Sequence, residues 1–582
     1  MASPGLDVPS VADIAYFSME IALQSEIPTY SGGLGVLAGD MLRSAADLEI
    51  PMIGITLVHR LGYFRQKLDA KGVQSAEPEP WNPANFAEPV NVRVAVRLEG
   101  RPIAITAWRY RIRGVSGGMV PVYLLDTDLP ENTEYDRTLT SELYGGDQRY
   151  RLMQEAVLGL GGAELLDALG YTSIRSYHMN EGHAALLALG LLQRLARAGR
   201  AGQEDVECVR HRCVFTTHTP VPAGHDKFPR SFVTSILGAP LVELLDIAQC
   251  FRDDLLNMTY VALRLSRFVN GVAMLHGEVS AHMFPQYSIR AITNGVHAVS
   301  WTSPPFCDLF DRRLEGWRDD NLCLRYAIRI PLNEIQNAHR AAKQRMLAEI
   351  QVRHGVTLQE NVFTIGFARR AAAYKRADLL FTDIERLRRI GRNLGPVQIL
   401  YAGKAHPHDE GGQQMIRRVF GAATALQESG IRVIYLNNYE IDLAGFLTSG
   451  VDLWLNTPLR PYEASGTSGM KAALNGVPGL SILDGWWVEG CHEGLTGWAI
   501  GDRDATPDPV RESDSLYGKL ESIILPMYNR NPNAYTEIMR SVISVNASFF
   551  NTNRMLGQYL NEAYFPREKT VALAETAKQG AA

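Results

Sequence analysis

The sequence predicts an α/β protein made of two doubly wound, Rossmann-like domains. With 582 residues, the chain is too long for one ordinary hydrophobic core. Short apolar runs alternate with helical stretches in both halves, which is typical of parallel sheets covered by helices. Each half also contains a Gly-rich turn between a strand and a helix, where α/β folds bind phosphate or sugars.

The first half contains strands predicted at residues 12–17 and 52–58, on either side of a Gly-rich turn and a helix at 41–48. Alternating apolar and polar residues at 90–98, followed by the run at 120–125, predict an antiparallel excursion from the parallel sheet. A long helix is expected at 149–169. Further strands are predicted at 173–178 and from residue 214.

The second half begins with an amphipathic helix at residues 333–350 and continues with regular β/α alternation. This pattern predicts a second doubly wound sheet with strands at 362–367, 397–402, 431–436, 451–455 and 480–483. The sequence therefore predicts one domain over residues 1–297 and another over residues 298–569. Residues 570–582, which are rich in alanine, are expected to form a loose tail.

Composition excludes several classes of partner. A formal net charge of −5 gives no electrostatic basis for binding nucleic acid or an anionic membrane surface. The six cysteines have no paired metal-binding spacing, which is typical of reduced thiols in a cytoplasm. The N-terminus has no signal-peptide pattern, and the apolar helix at 184–192 is too short for a membrane span. We therefore expect a cytoplasmic protein.

Lys471 lies in the stretch on which the functional hypothesis depends. A buried strand at 451–456 is predicted to lead through a Gly-Thr-Ser-Gly turn into a helix at 468–474. Such a helix start binds anions, and a lysine in its first turn opposes the helix dipole by about 0.3–1 kcal/mol unless an anion is bound. Lys471 is either a solvated surface lysine or a semi-buried amine beside a phosphate, the setting in which a lysine holds pyridoxal phosphate.

Three cations, Arg369, Arg370 and Lys375, follow the first strand of the second half. At a strand end they would form an anion pocket, since arginine can bind a phosphate through two N–H groups; the alternative is a solvated helix face. His218 also follows a strand, where α/β enzymes collect their sites, although a lone histidine is usually a packing residue.

His178, Glu181 and His183 lack the spacing of paired zinc histidines on a helix. This absence of zinc-type spacing favours the interpretation of the three residues as a polar network at the end of a strand. No metal site is therefore predicted.

The run from Glu463 to Lys471, Glu-Ala-Ser-Gly-Thr-Ser-Gly-Met-Lys, resembles the cofactor-lysine motif of the α-glucan phosphorylases, the glycogen, starch and maltodextrin phosphorylase family. Gly469 stands where that family usually has asparagine. The Gly-Gly-Leu-Gly turn, the Thr-x-His-Thr motif around His218 and the Tyr-Lys-Arg run also resemble the family. Ala372 and Ala373 stand where His and Glu are common, a departure that concerns the surroundings of a bound phosphate rather than the residues that anchor it.

The resemblance implies the fold of the two-domain GT-B glycosyltransferases, in which two Rossmann-like domains face a central cleft. It implies a pyridoxal phosphate cofactor held by Lys471, Thr467, Ser468, Gly469, Tyr439 and Trp301. It implies a site for the substrate phosphate at Gly32, Gly33, Arg369, Arg370 and Lys375. It implies a site for the glucosyl unit at His218, Asn294, Glu463, Ser465 and Gly466.

The reaction implied by the resemblance is reversible phosphorolysis with retention, which releases α-D-glucose 1-phosphate from the non-reducing end of an α-1,4-glucan. The catalytic residues would be Lys471, Arg370, Lys375 and His218. The cofactor phosphate would exchange a proton with inorganic phosphate, as suits a group with a second pKa of about 6. A homodimer is the habit of the family. The short segment before residue 12 leads us to expect no phosphorylation or nucleotide control.

Two alternatives remain open. A nucleotide-sugar glycosyltransferase of the glycogen synthase type shares the architecture, but it commonly has a second acidic residue eight positions after the first in its donor loop. Here Lys471 occupies the eighth position after Glu463. The other alternative is a catalytically silent glucan-binding protein on the same fold, against which the intact lysines, arginine and histidine argue.

Overall fold

The computed structural model describes residues 12–196, 201–221, 224–503 and 506–566. The tail predicted at 570–582 lies outside these residues. Within them, the predicted α/β class is confirmed: two large sheets, each mainly or entirely parallel, are covered by helices. None of the helices in these ranges is both long enough and apolar enough to cross a membrane.

Strands of the first half account for a large sheet, a small sheet and a hairpin. They are β1 (Ile14–Ser18), β2 (Met52–Leu57), β3 (Arg65–Leu68), β4 (Gln74–Glu77), β5 (Glu88–Leu98), β6 (Arg101–Arg113), β7 (Met119–Asp126), β8 (Ser176–Asn180), β9 (Cys213–Thr216), β10 (Lys227–Pro229), β11 (Phe251–Arg252), β12 (Leu255–Asn257), β13 (Phe268–Gly271) and β14 (Ile289–Ala291).

The large sheet has the order β14-β13-β9-β8-β1-β2-β7-β6-β5 in the described part of the chain. It is parallel from β14 to β7, with Ile14 of β1 opposite Met52 of β2 and Ser176 of β8. Strand β6 runs antiparallel to both β5 and β7. The predicted antiparallel excursion is therefore confirmed.

Strands of the second half form an entirely parallel sheet in the order β17-β16-β15-β18-β19-β20. They are β15 (Phe363–Ala368), β16 (Val397–Ala402), β17 (Ile431–Leu436), β18 (Leu453–Asn456), β19 (Gly479–Ile482) and β20 (Gly497–Ile500). The first five coincide with predicted strands to within two residues. The sequence reading missed β20, which is only four residues long.

The α-helices cover both faces of the two sheets. They are α1 (Gly33–Asp47), α2 (Glu134–Arg137), α3 (Gln148–Ala156), α4 (Gly162–Ala168), α5 (Leu186–Ala196), α6 (Gln203–Arg212), α7 (Arg230–Leu237), α8 (Ala239–Ile247), α9 (Met258–Arg264), α10 (Met274–Met283), α11 (Ala298–Trp301), α12 (Pro304–Arg313), α13 (Leu332–His354), α14 (Ile384–Leu394), α15 (Glu410–Ala425), α16 (Ile441–Gly450), α17 (Ser468–Leu474), α18 (Trp487–Gly490), α19 (Pro509–Lys519), α20 (Leu525–Arg530), α21 (Pro532–Val542) and α22 (Thr552–Gln558).

Helix α1 begins at Gly33, inside the Gly-rich turn and eight residues before the predicted start. Glycines 35 and 39 allow α1 to pack closely against the chain that follows β1. A Cβ on Gly39, for example, would lie 2.1 Å from the carbonyl oxygen of Ala22. Helix α17 matches its predicted range, and a π turn at Val157–Gly161 joins α3 to α4.

The two halves meet through hydrogen bonds at the hairpin β3–β4. Gln66, which is buried, donates its side-chain amide to the carbonyl of Gly403 at 2.9 Å, and its backbone N–H donates to Oδ1 of Asn438 at 3.1 Å. Lys404 returns a hydrogen bond from Nζ to the carbonyl of Phe64 at 2.7 Å. The hairpin therefore contacts the carboxyl ends of the second sheet's strands.

The last described helix returns to the first sheet. Met555 and Leu556 of α22, together with Tyr559 and Tyr564, share one apolar core with residues of β1 and α1. The hydroxyl of Tyr564 lies 2.6 Å from Nδ1 of the buried His178 on β8. The domain division at residue 297 stays a prediction, but this final segment packs with the first half of the chain rather than the second.

Replacement Tyr564→Phe tests this docking. The change leaves Nδ1 of His178 buried without its partner, so we expect the free energy of unfolding to fall by about 1–3 kcal/mol. Chemical denaturation measures the change, and Tyr326→Phe, on a tyrosine that is 47% exposed, is the matched control. Equal stability of the two variants would show that the Tyr564 hydroxyl does not hold the segment in place.

Candidate active site at the strand ends

Lys471 is buried in the first turns of α17, with 6% of its surface exposed. Its Nζ atom lies 3.7 Å from the ring centroid of Trp301. Burial lowers the pKa of Lys471 to about 8, although the nearby Asp40 opposes this change. A substantial fraction of the amine is therefore neutral near physiological pH, as a nucleophilic lysine requires.

Trp301 is held against the lysine by both halves of the chain. Its indole Nε1 donates to Oδ2 of Asp40 on α1 at 2.8 Å. Its carbonyl accepts a 2.8 Å hydrogen bond from the side chain of Asn475, the C-cap residue of α17. Trp301, which the resemblance places near the cofactor, thus contacts Lys471, and its hydrogen bonds to Asp40 and Asn475 explain the orientation of the ring.

Glycine is required at one position in the turn before α17 and at one position in the first turn of the helix. Gly466 has a positive φ of 75°, and a Cβ on Gly469 would lie 2.8 Å from Cζ2 of Trp486. The indole of Trp454 on β18 donates to Oγ of Ser468 at 3.0 Å and so fixes the helix start. The close packing of Trp486 explains why Gly469 stands where asparagine is usual in the phosphorylase pattern.

Two of the three predicted cations converge on Glu463. Nη2 of Arg369 and Nζ of Lys375 each lie 2.5 Å from Oε2 of this carboxylate. Burial alone would raise the pKa of Glu463. The effect of the two cations is larger and opposite, so that the pKa is lowered to about 2. Glu463, expected to bind the glucosyl unit, is therefore also the counter-ion of two residues expected to bind phosphate.

Arg369 retains binding capacity. Its Nε and Nη1 atoms are buried, and no residue in the described ranges accepts a hydrogen bond from either. Arg370, the next residue along the chain, lies just beyond the carboxyl end of β15 and is exposed. Burial opposes the change, but Tyr374, Tyr63 and Glu20 together raise the pKa of Arg370 above its ordinary value, so groups from both halves of the chain act on the guanidinium.

The Gly-rich turn leaves space above its backbone. A Cβ on Gly32 or on Gly33 would meet no atom within 4 Å. The N–H of Gly32 donates to Oε2 of Glu20 at 3.3 Å, whereas the N–H of Gly33 has no partner among the described residues. The two predicted phosphate donors therefore differ, and Gly33 is the one left open.

His218 is fixed at the end of β9. Its Nε2 lies 2.8 Å from Oδ1 of Asn180, and its backbone N–H donates to Oε2 of Glu181 at 2.7 Å. Burial lowers the pKa of His218 to about 3, so the imidazole is neutral at physiological pH. Glu181 also accepts from Thr219, which makes it the centre of a polar network at the strand end.

Three other expected site residues lie in part-buried positions. Oδ1 of Asn294 is buried and has no hydrogen-bond partner in the described part of the chain. Ser465 is buried beside Gly466, and Tyr439, half-buried, follows β17 with its pKa raised by burial. No side-chain hydrogen bond joins these three residues in the part of the chain that the structure describes, and their roles stay predictions.

Comparison with known proteins identifies the family. The family model described as carbohydrate phosphorylase matches residues 241–494. Maltodextrin phosphorylase from Thermococcus litoralis is 39% identical over 95% of this chain and 70% of its own length. Glycogen phosphorylase from Aquifex aeolicus is 35% identical over 95% of this chain and 86% of its own length, and that from Mycobacterium tuberculosis (strain H37Rv) is 36% identical over 95% and 71%.

The chain belongs to the carbohydrate phosphorylase family.

The predicted resemblance to the α-glucan phosphorylases is therefore confirmed, and the parallel sheets fit the two-domain GT-B-like fold of these enzymes.

Sequence reasoning missed three acidic residues of this phosphorylase. Glu20 bonds the Gly-rich turn, and Asp40 orients Trp301. Asp484, which follows β19, accepts the backbone N–H of Glu463 at 2.9 Å, and burial raises its pKa to about 7. The position of Glu20 just after a strand was a usable signal. Asp484 carried the same signal, because it follows β19, whereas Asp40 carried none, since its partner Trp301 is 261 residues away in the sequence.

A separate acidic cluster of the phosphorylase contains Glu155, His183 and Asp226, whose ligand atoms lie within 4.8 Å of one another. Arg151 contacts both carboxylates, at 3.2 Å and 3.1 Å. Its positive charge already offsets part of their negative charge and would repel a metal ion. This network differs from the set His178, Glu181 and His183 weighed from the sequence.

Replacement Glu463→Gln tests the counter-ion role. A carboxyl pKa lowered from 4.5 to about 2 stabilises the fold by about 3 kcal/mol above pH 4.5. This contribution is lost as the pH falls from about 4.5 towards 2. We therefore expect the variant to be less stable than wild type at pH 7 and the difference to shrink at pH 3, measured by chemical denaturation.

The matched control is Glu278→Gln, on an exposed carboxylate of α10. Its stability relative to wild type should change little over the same pH range. A Glu463→Gln deficit that is the same at pH 7 and pH 3 would contradict an ionised Glu463 between two cations.

Proposed function

We propose that this protein is a pyridoxal-phosphate-dependent α-1,4-glucan phosphorylase that releases α-D-glucose 1-phosphate with retention. The observation that carries the proposal is Lys471, a buried amine with a lowered pKa at the start of a helix and against an aromatic ring. The names of its relatives, maltodextrin and glycogen phosphorylase, support the same activity. The domain division near residue 297 is part of the proposal.

The residues around Lys471 fit the cofactor. Two buried N–H groups of Arg369 lack partners among the described residues, which suits a phosphate nearby. Lys471 would hold the cofactor covalently, with Thr467, Ser468, Gly469, Tyr439 and Trp301 around it. When bound, the cofactor would supply a phosphate group that can give and take a proton.

Inorganic phosphate would be held by Arg370, Lys375 and the N–H of Gly33. Two phosphates in close approach repel each other, so several cations are required to hold them. Glu463 neutralises only part of the charge of Arg369 and Lys375, which leaves the pocket cationic even with its internal counter-ion. This cationic pocket could therefore bind phosphate through its side chains and the Gly33 N–H alone, without a protein-bound metal ion.

The glucosyl unit would lie near His218, Asn294, Glu463, Ser465 and Gly466. A neutral imidazole at His218 can hydrogen-bond a hydroxyl without repelling the positive charge that develops on the sugar in the transition state. Oδ1 of Asn294 is a buried acceptor whose partner would be a sugar hydroxyl. These neutral groups and the single carboxylate suit a polyhydroxyl substrate.

The test is phosphate-dependent release of glucose 1-phosphate from maltooligosaccharides by the purified protein, followed with a coupled assay. A phosphorylase forms this product only when phosphate is present. A glycosyltransferase of the synthase type would instead require a nucleotide-sugar donor, and a silent glucan-binding protein would form no product. Lys471 in place of the second donor-site acid disfavours the first of these alternatives.

Replacement Arg370→Ala should raise the phosphate KM by roughly 10- to 100-fold. The reason is the loss of charge-assisted hydrogen bonds worth about 1.5–3 kcal/mol. Initial rates at varied phosphate and saturating maltooligosaccharide measure the effect. The control is Arg340→Ala, on an exposed arginine of α13, which should behave as wild type. An unchanged phosphate KM in Arg370→Ala would remove Arg370 from the phosphate site.

A further inference from the structure

Glu20 is a buried carboxylate that lies just after β1 and contacts the Gly-rich turn. Only 2% of the residue is exposed. Oε2 accepts hydrogen bonds from the backbone N–H groups of Ser31 at 2.6 Å and Gly32 at 3.3 Å. Oε1 accepts from the hydroxyl of Tyr144 at 2.9 Å and from the hydroxyl of Ser31 at 3.2 Å. No basic side chain in the described ranges forms an ion pair with Glu20, so these neutral donors alone compensate its burial.

The carboxylate binds the two N–H groups that come immediately before α1, next to the place where an anion binds at a helix start. It uses the N–H groups of Ser31 and Gly32, and the next N–H along the chain, that of Gly33, has no partner among the described residues. Gly35 makes this arrangement possible, because a Cβ there would lie 2.7 Å from Oε2 of Glu20. The turn therefore has two backbone donors held by Glu20, those of Ser31 and Gly32, and a third, that of Gly33, left for a ligand.

The open donor lies in a region that can hold an anion. A Cβ on Gly33 would meet nothing within 4 Å, so the space above this residue is empty of protein atoms. Glu20 is also among the groups that raise the pKa of Arg370, which places the turn near the exposed guanidinium of the second half. A phosphate could contact both the Gly33 N–H and Arg370.

We propose that Glu20 is a positioning residue for the substrate phosphate. By binding the N–H groups of Ser31 and Gly32, it holds the start of α1 in the conformation that leaves the Gly33 N–H available to phosphate opposite Arg370. This inference rests on the proposed phosphorylase function. Because Glu20 acts through the turn, its loss should weaken phosphate binding more than glucan binding.

Three variants test the proposal by steady-state kinetics in the direction of phosphorolysis. Glu20→Ala removes both acceptors and should raise the phosphate KM at least 10-fold, with less than a 3-fold change in the glucan KM. Glu20→Gln keeps one oxygen acceptor for the two N–H groups and should recover most of the loss. Glu26→Ala, on an exposed carboxylate of the same loop, is the control and should match wild type.

Isothermal titration calorimetry with inorganic phosphate measures phosphate binding to the same proteins directly. Together with the kinetics, it separates the role proposed for Glu20 from the phosphorylase function proposed for the whole protein. Wild type without glucose 1-phosphate production would refute the proposed function itself. Active wild type with a phosphate KM unchanged in Glu20→Ala would refute only the role of Glu20. If Glu20→Ala instead raised the phosphate KM and the glucan KM and lowered kcat by similar factors, and Glu20→Gln restored none of them, Glu20 would have only a structural role. That result would also overturn the inference.

Discussion

The burial of three cationic side chains at the strand ends of the second sheet is the constraint on which this site depends. Lys471, Arg369 and Lys375 are each less than one-tenth exposed, and the only carboxylate that pairs with them among the described residues is Glu463. Buried charge without a partner is costly. The protein reduces that cost through the lowered pKa of Lys471, its contact with Trp301 and the shared carboxylate. The Nε and Nη1 atoms of Arg369 stay buried without a partner among the described residues and are free to bind an acceptor such as a phosphate oxygen.

The two halves of the chain build this site together. Asp40 from α1 orients the ring that covers Lys471, and the hairpin β3–β4 bonds the ends of β16 and β17 through Gln66. The Gly-rich turn comes from the first half, whereas the exposed Arg370 comes from the second. These contacts between the two halves lie at the ends of the strands, which is where folds of this class place their ligand-binding residues.

Much of the fold could be read from the sequence because its signals are local. The strands of the second sheet are continuous apolar runs, and the helix at Lys471 is delimited by glycines. The start of α1 was missed, because glycines normally disfavour helices and only the packing against Ala22 reveals their use. The cations were found from their clustering, but the pairing of Glu463 with Arg369 and Lys375 depends on tertiary contacts across about ninety residues. Asp40 was missed for the same reason, since its partner Trp301 lies 261 residues further along the chain.

Covalent attachment of the cofactor tests the account most directly. The purified protein, incubated with pyridoxal phosphate at pH 8, reduced with borohydride and digested, would be mapped by mass spectrometry. The account predicts a pyridoxyl group on Lys471, absent from the variant Lys471→Arg and accompanied by loss of the cofactor's visible absorbance on reduction. A protein that takes up no cofactor, or that carries it on Lys375 or a surface lysine instead, would contradict the central role assigned to Lys471.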